Sequence, residues 1–237
     1  MLPHPALQGL APNGTSRLDA AKYITGGLWI DAADTLHYDG DDGRLVVSML
    51  PEATTQPTIK PRSIIHHTQS GPKRTPWQAL IAYMRRTDIG LETHLLVELS
   101  GLIVQAMPFT RRADTNYRAN SFRLFGSSTL RGAISSEAQD NGQATVDTTP
   151  FTWEQIKSMA DVDALLCICY GIGCGWPVSW DGTGIGCHNL HREWSLRQPN
   201  QCPGKVRRSQ IPAVHQAVAE RLALFGQLTG WECRATA

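Results

Sequence analysis

Short apolar runs that end in polar or turn residues recur along the chain, and this pattern predicts β-strands. They cover residues 63–68, 94–98, 102–106 and 130–138. The first run reads SIIHHT and places His66 and His67 at the end of a strand. Successive side chains on a strand point to opposite faces, so these two histidines cannot both face one pocket.

Amphipathic segments between and after these runs predict helices. Thr75 suits an N-cap and Pro76 a first helical position. Thr152 and Gln155 match a capping box that opens a helix to about residue 170. Apolar positions at helical spacing predict a last helix over residues 212–225. The chain therefore has a mixed α/β pattern.

Two histidines and a cysteine at distant positions form a candidate zinc site. His66 ends the first strand, His188 follows the glycine-rich segment GTGIGC, and Cys202 lies in a Pro/Gly turn. Three protein ligands leave a fourth position for water, which is typical of catalytic zinc sites. From the residues alone, His67 competes with His66 and His191 competes with His188.

The order of five motifs makes the chain resemble a known family. These are IIHHT, HLLV followed by GLIVQ, the Asn-containing loop of residues 112–120, AISSEAQDNG, and GIGCH followed by a tryptophan and QCPG. This order is similar to that of the type-2 N-acetylmuramoyl-L-alanine amidases, which share a fold with peptidoglycan recognition proteins. The resemblance is closest to amidase domains of actinobacterial-phage lysins.

The resemblance implies an α/β fold in which helices flank a central mixed β-sheet. It selects His66, with a threonine two places later, together with His188 and Cys202 as ligands of Zn²⁺. It also implies that Glu137 is the catalytic glutamate. Many members carry a lysine two residues before the cysteine ligand, and Asn200 stands there in this chain. Asn200 is therefore the expected, uncharged contributor to stabilising the oxyanion.

Three further residues are candidates for substrate contact: Asn116 and Asn120 in the Asn-containing loop, and Trp194 between two expected ligands. The implied activity is hydrolysis of the amide bond between N-acetylmuramic acid and L-alanine in bacterial peptidoglycan. Two departures from the family pattern keep two alternative functions open: Asn200, and Thr93 at a position where some members have tyrosine. One is a catalytically weak peptidoglycan-binding module, and the other is a structural virion component with the same fold.

Composition argues against some classes of function and of fold stabilisation. Lys and Arg total 22 against 21 Asp and Glu, which argues against electrostatic binding of nucleic acid. The short basic clusters, KVRRS among them, are interpreted as solvated faces. The six cysteines form no evident disulfide framework, which leaves Cys202 free to bind metal, and Cys167 and Cys169 are expected in the core.

Domain organisation and location follow from the remaining segments. Residues 1–60 show no recognised module and are predicted to be an N-terminal extension that could bind a virion protein, with the zinc amidase domain over residues 61–230. No apolar run approaches a membrane span, and the N-terminus does not resemble a secretion signal. The expectation is a phage protein made in the host cytoplasm that acts on the cell wall after release or as part of the virion.

Overall fold

A computed structural model describes residues 9–40, 43–69, 75–86, 88–140 and 149–231. Residues 1–8 of the predicted extension and residues 141–142 of the AISSEAQDNG motif lie outside these ranges. The strands are β1 (Leu28–Ile30), β2 (Leu36–Tyr38), β3 (Leu45–Val47), β4 (Lys60–Thr68), β5 (Leu95–Val97), β6 (Ile103–Gln105), β7 (Arg131–Ala138) and β8 (Gly184–Cys187). The helices are α1 (Arg17–Ile24), α2 (Trp77–Met84), α3 (Trp153–Tyr170) and α4 (Lys205–Thr229).

The central sheet has six strands in the order β3-β6-β5-β7-β4-β8. Strands β5 and β6 pair antiparallel, and every other neighbouring pair in the sheet is parallel. The expected mixed sheet flanked by helices is confirmed. Because β7, β4 and β8 are parallel neighbours, their carboxyl ends meet at one edge of the sheet, which is where ligand sites form in such sheets.

The two faces of the sheet are covered differently. Ile64 of β4 and Ile134 of β7 lie in the main core with residues of α3 and α4. The next residue along β4, Ile65, belongs to a smaller cluster with Trp194 on the other face. This alternation fixes the direction of the side chains that follow, so His66 faces the α3 layer and His67 faces away from it.

Helix α3 begins and ends as its sequence predicts. The Thr152 hydroxyl accepts a hydrogen bond from the Gln155 backbone N–H, the Gln155 side chain accepts one from the Thr152 N–H, and Gly171 ends the helix with φ +67°. Of its residues, Cys167 and Cys169 are buried in the core, as expected.

The starts of the other two helices differ from prediction. Helix α2 begins at Trp77, with Pro76 rather than Thr75 at the N-cap and no side-chain cap. Helix α4 begins at Lys205 and continues through Pro212. A proline inside a helix removes one backbone hydrogen bond. The fully buried Ile211 and Val214 on either side pack in the core, and this packing outweighs the proline penalty.

The described part of the N-terminal segment belongs to the same domain. Strand β3 extends the central sheet by pairing with β6, and Ala20, Ala21 and Ile24 of α1 lie in the main core. Arg44 also donates to the Asp161 carboxylate on α3 at 2.6 Å. The role predicted for residues 1–60 stays a prediction. Across the described ranges, no helix is both long and apolar enough to span a membrane.

Candidate metal and catalytic site

Three potential metal ligands converge beyond the carboxyl ends of β4 and β8: His67, His188 and Cys202. Their ligand atoms all lie within 4.8 Å of one another. His67 is the penultimate residue of β4, and His188 directly follows β8. Parallel pairing of these two strands brings the histidines together, with their ring centroids 4.3 Å apart. Cys202 reaches them from the loop that precedes α4.

His66 does not join this cluster, so the choice of His66 over His67 is wrong as a matter of geometry. Its ring points to the opposite face of the sheet, where Nε2 lies 2.8 Å from Oδ2 of Asp163 on α3. Both side chains are almost completely buried. As strand alternation predicted, only one of the two histidines lies in the pocket, and the structure places His67 there where the resemblance selects His66.

In both clustered histidines, a hydrogen bond engages Nε2 and leaves Nδ1 for a metal. Nε2 of His67 lies 2.7 Å from Oδ1 of Asn116, and Nε2 of His188 lies 2.7 Å from the Trp194 carbonyl oxygen. Because both partners are acceptors, each Nε2 carries the proton and each Nδ1 keeps its lone pair. Hydrogen bonds of this kind are the usual way in which proteins orient metal-binding imidazoles.

The separation of ligand atoms fits zinc. The His67 Nδ1 atom lies 3.8 Å from the Cys202 Sγ atom. Ordinary zinc–nitrogen and zinc–sulfur bond lengths with tetrahedral angles require a separation of about 3.6 Å. A shift of a few tenths of an ångström therefore suffices for both atoms to coordinate one ion.

Cys202 is held in place from two sides. Its sulfur accepts a hydrogen bond from the Thr68 backbone N–H at 3.2 Å, and its own N–H donates to the Asn200 side-chain oxygen at 3.0 Å. Burial raises the pKa of the Cys202 thiol to about 12 in the metal-free protein. A thiolate here thus requires a cation beside it, which is consistent with a metal ligand.

Glu137 is the carboxylate of the site. It lies directly opposite His67 in the β4–β7 register, so both side chains project from the same face of the sheet. Burial raises the pKa of Glu137 from 4.5 to about 7. The two ligand histidines show the opposite shift, because burial lowers the pKa of both His67 and His188. Without a metal, both histidines are therefore neutral near pH 7, while Glu137 is close to half protonated.

A cavity of about 560 Å³ opens in front of these residues. The three clustered residues and Glu137 line it, and Leu80, Tyr83 and Met84 of α2 form part of its wall. A loop with Leu196 and Arg197 lines another wall. The cavity can thus bring a sizeable substrate against the cluster of potential metal ligands and a carboxyl group that can exchange a proton near pH 7.

The family model for N-acetylmuramoyl-L-alanine amidases matches residues 58–205. The chain belongs to this amidase family. No curated protein matches the chain.

Two solved structures are similar in fold, and a third matches with a lower TM-score. Hydrolase AmiA of Staphylococcus aureus, in complex with its ligand, is 13% identical with a TM-score of 0.54, over 98% of this chain and 100% of that one. A mutant of PlyL is 18% identical with a TM-score of 0.51, over 74% and 98% of the two chains. The amidase LysC of Clostridium intestinale is 17% identical with a TM-score of 0.47, over 71% and 95%.

The three residues predicted to contact substrate in this amidase-family chain have structural partners that the sequence did not indicate. The side chain of Asn116 is fully buried against His67, and Asn120 accepts a hydrogen bond from the Asn116 N–H. Trp194 is fully buried, and its indole N–H donates to the Trp180 carbonyl. Asn116 and Trp194 therefore support the walls of the cavity instead of presenting a free polar group to it.

Asn200 lines the cavity, but both ends of its amide have partners within the protein. Its nitrogen donates to the His188 carbonyl at 3.1 Å, and its oxygen accepts from the Cys202 N–H. The amide thereby ties together the two segments that carry His188 and Cys202. This geometry favours a structural role over the predicted role in stabilising an oxyanion.

Arg207 is a buried support for the site that sequence reasoning missed. It belongs to the KVRRS cluster that was interpreted as a solvated face, yet it is fully buried. Its guanidinium donates to the carbonyls of Ala138 and Gln139 at the end of β7 and to the Thr68 hydroxyl. The Thr68 hydroxyl in turn donates to the Pro203 carbonyl. No local sequence signal separates Arg207 from its exposed neighbour Arg208.

Proposed function

We propose that the protein is a zinc-dependent N-acetylmuramoyl-L-alanine amidase that hydrolyses the amide bond between N-acetylmuramic acid and the first L-alanine of the peptidoglycan stem. The observation that carries this proposal is the convergence of His67, His188 and Cys202, which line one cavity together with Glu137. Membership of the amidase family supports the choice of reaction and of substrate class.

His67 and His188, through Nδ1, and Cys202, through Sγ, would hold the zinc ion. Two neutral imidazoles and one thiolate are a known ligand set for catalytic zinc with an open fourth position. When bound, zinc supplies a Lewis acid that polarises a carbonyl and lowers the pKa of water to about 7. In this proposal His67 takes the ligand role first assigned to His66.

Glu137 is the proposed general base and general acid. Its carboxyl group lies on the same face as His67 and lines the same cavity, so it would exchange protons with water and with the amide bound there. A carboxyl group with a pKa near 7 can accept a proton from water and return it to the leaving amine at neutral pH. Asn200 contributes by keeping the His188 and Cys202 segments in register.

The cavity supports a polymeric substrate. A second cavity of about 330 Å³ adjoins the first, because Tyr117, Ser195 and Leu196 line both. Arg118 and Arg192 line this second part. Two adjoining cavities can accommodate a glycan or stem peptide that extends beyond the bond to be cleaved.

Mass spectrometry of soluble products tests the function. Purified protein incubated with peptidoglycan should release stem peptides that begin with L-alanine, and a zinc chelator should abolish the release until zinc is restored. Glu137→Gln should retain stoichiometric zinc and lose this activity, while Glu220→Gln on the exposed face of α4 should remain active. Full activity of Glu137→Gln would remove Glu137 from the mechanism.

A peptidoglycan-binding module with little catalysis is the second candidate. The observation in its favour is that Asn200 replaces the lysine expected beside the cysteine ligand and has both amide ends engaged. Sedimentation with insoluble peptidoglycan, combined with no released peptide at saturating zinc, would select this candidate over the enzyme.

We further propose that the protein acts as a phage lysin, either released at lysis or carried on the virion. The motif order GIGCH, tryptophan and QCPG supports this role. Immunodetection in purified phage particles distinguishes the two forms, because only a virion-associated lysin should be retained in washed particles. Residues 1–60 are the proposed contact with a virion protein, so substitution of their exposed Leu10 and Tyr23, which leaves the core residues of this segment in place, should release the lysin from the particle.

A further inference from the structure

Asn116 faces the proposed metal ligand His67 and not the substrate cavity. Its side chain is fully buried, and Oδ1 lies 2.7 Å from Nε2 of His67. An amide oxygen can only accept a hydrogen bond, so this contact requires the proton of the neutral imidazole to sit on Nε2. The lone pair of Nδ1 then points toward Cys202, 3.8 Å away.

The opposite tautomer would block the site. With the proton on Nδ1, the ring would direct an N–H toward the Cys202 sulfur and could not coordinate a cation through that nitrogen. The other clustered histidine, His188, is oriented by the backbone carbonyl of Trp194. Asn116 is therefore a side chain that contacts a ligand imidazole directly, so its mutation can change the orientation of the His67 ring.

The loop of residues 112–120 holds Asn116 in place through a chain of polar contacts. The Asn116 backbone N–H donates to Oδ1 of Asn120, and Nδ2 of Asn120 donates to Asp114 at 3.2 Å. Arg112 donates to the same Asp114 oxygen at 2.6 Å. The next residue, Tyr117, has φ +49°, a left-handed conformation that is unfavourable for a bulky side chain.

We propose that Asn116 is a positioning residue that selects the Nε2–H tautomer of His67 and fixes its ring for metal binding. The inference rests on the proposed zinc site and extends it to the loop of residues 112–120. The strained backbone at Tyr117 and the polar chain through Asp114 serve to aim the Asn116 oxygen at His67. Loss of that oxygen weakens metal binding without removing a ligand.

Zinc affinity of three variants tests the proposal, measured by competition with a chromophoric chelator. Asn116→Leu has a similar size and no acceptor, and it should bind zinc 10- to 100-fold more weakly than the wild type. Asn116→Asp keeps an acceptor toward His67 and should retain wild-type affinity or exceed it. Thr115→Val is the matched control, because the Thr115 hydroxyl in the same loop is buried without a hydrogen-bond partner. Its zinc affinity should be unchanged.

A spectroscopic readout separates positioning from a purely structural role. Ring ¹⁵N chemical shifts of His67 in the metal-free protein should report the Nε2–H tautomer in the wild type and in Asn116→Asp. They should report a mixture of tautomers in Asn116→Leu. Wild-type zinc affinity and an unchanged tautomer in folded Asn116→Leu would overturn this inference alone. Absence of stoichiometric zinc binding by the wild type would overturn the proposed metal site and this inference together.

Discussion

Replacing Glu137 by glutamine should stabilise the metal-free protein at alkaline pH and leave it nearly unchanged at acidic pH. Burial raises the pKa of Glu137 in the folded protein to about 7 from an ordinary 4.5. An acid with a raised folded pKa binds its proton more tightly when folded, so it costs stability wherever the unfolded chain has already released the proton. The cost is absent well below pH 4.5, grows between the two pKa values and is complete above about pH 7.

The magnitude follows from the size of the pKa shift. A shift of about 2.5 units corresponds to about 3 kcal/mol at a pH above both values, since each unit is worth about 1.4 kcal/mol. At pH 5 the same linkage gives a penalty of about 1 kcal/mol. Glutamine is nearly isosteric and never ionises, so Glu137→Gln should gain about 3 kcal/mol at pH 8 and about 1 kcal/mol at pH 5 relative to the wild type.

Urea unfolding with a chelator present, at pH 5 and pH 8, measures these free energies. All other titrating groups are common to both proteins, so the difference between wild type and variant isolates Glu137. Glu220→Gln, at an exposed position on α4, is the matched control and should change stability little at either pH. A Glu137→Gln variant no more stable than the wild type at pH 8 would refute the argument that burial destabilises the ionised carboxylate.

Three other predictions concern the metal and its supports. His67→Ala should lose stoichiometric zinc by elemental analysis, whereas His66→Ala should keep zinc but unfold about 3–5 kcal/mol more easily, because it strips Asp163 of its buried partner. Arg207→Met should lower the unfolding free energy by about 3 kcal/mol, and the exposed Arg208→Met by no more than about 0.5 kcal/mol. Zinc at a thousand times its Kd should stabilise the wild type by about 4 kcal/mol in calorimetry, and an unmoved Tm would contradict binding to the folded state.

The parts of the fold that depend on local pattern could be predicted from the sequence. The strand run SIIHHT lies within β4, and the capping box at Thr152 opens α3. Both features depend on residues that are close in the chain. The strand depends on the alternation of its side chains, and the capping box depends on two residues three positions apart. Helix α4 was predicted to begin only at Pro212, whereas it begins at Lys205, because core packing on both sides of Pro212 stabilises a helix that contains the proline.

The candidate site was predictable from the sequence only where it depends on local pattern. The sequence correctly brought His188 and Cys202 to one site with Glu137 lining the same cavity. It also established that only one of His66 and His67 could join them. Which one does so depends on which face of β4 is covered by α3, and that choice is made by segments almost a hundred residues away in the chain, at Asp163.

Residue types and their order thus determined a mixed α/β fold, an amidase-family motif set and a pool of candidate ligands. Only the tertiary structure decided the roles within that pool. It placed His67 in the cluster, turned Asn116 toward His67, and buried Arg207 beneath the ends of β4 and β7. The physical reason is that burial and hydrogen-bond partners come from contacts distant in sequence, whereas local patterns encode only periodicity and turns.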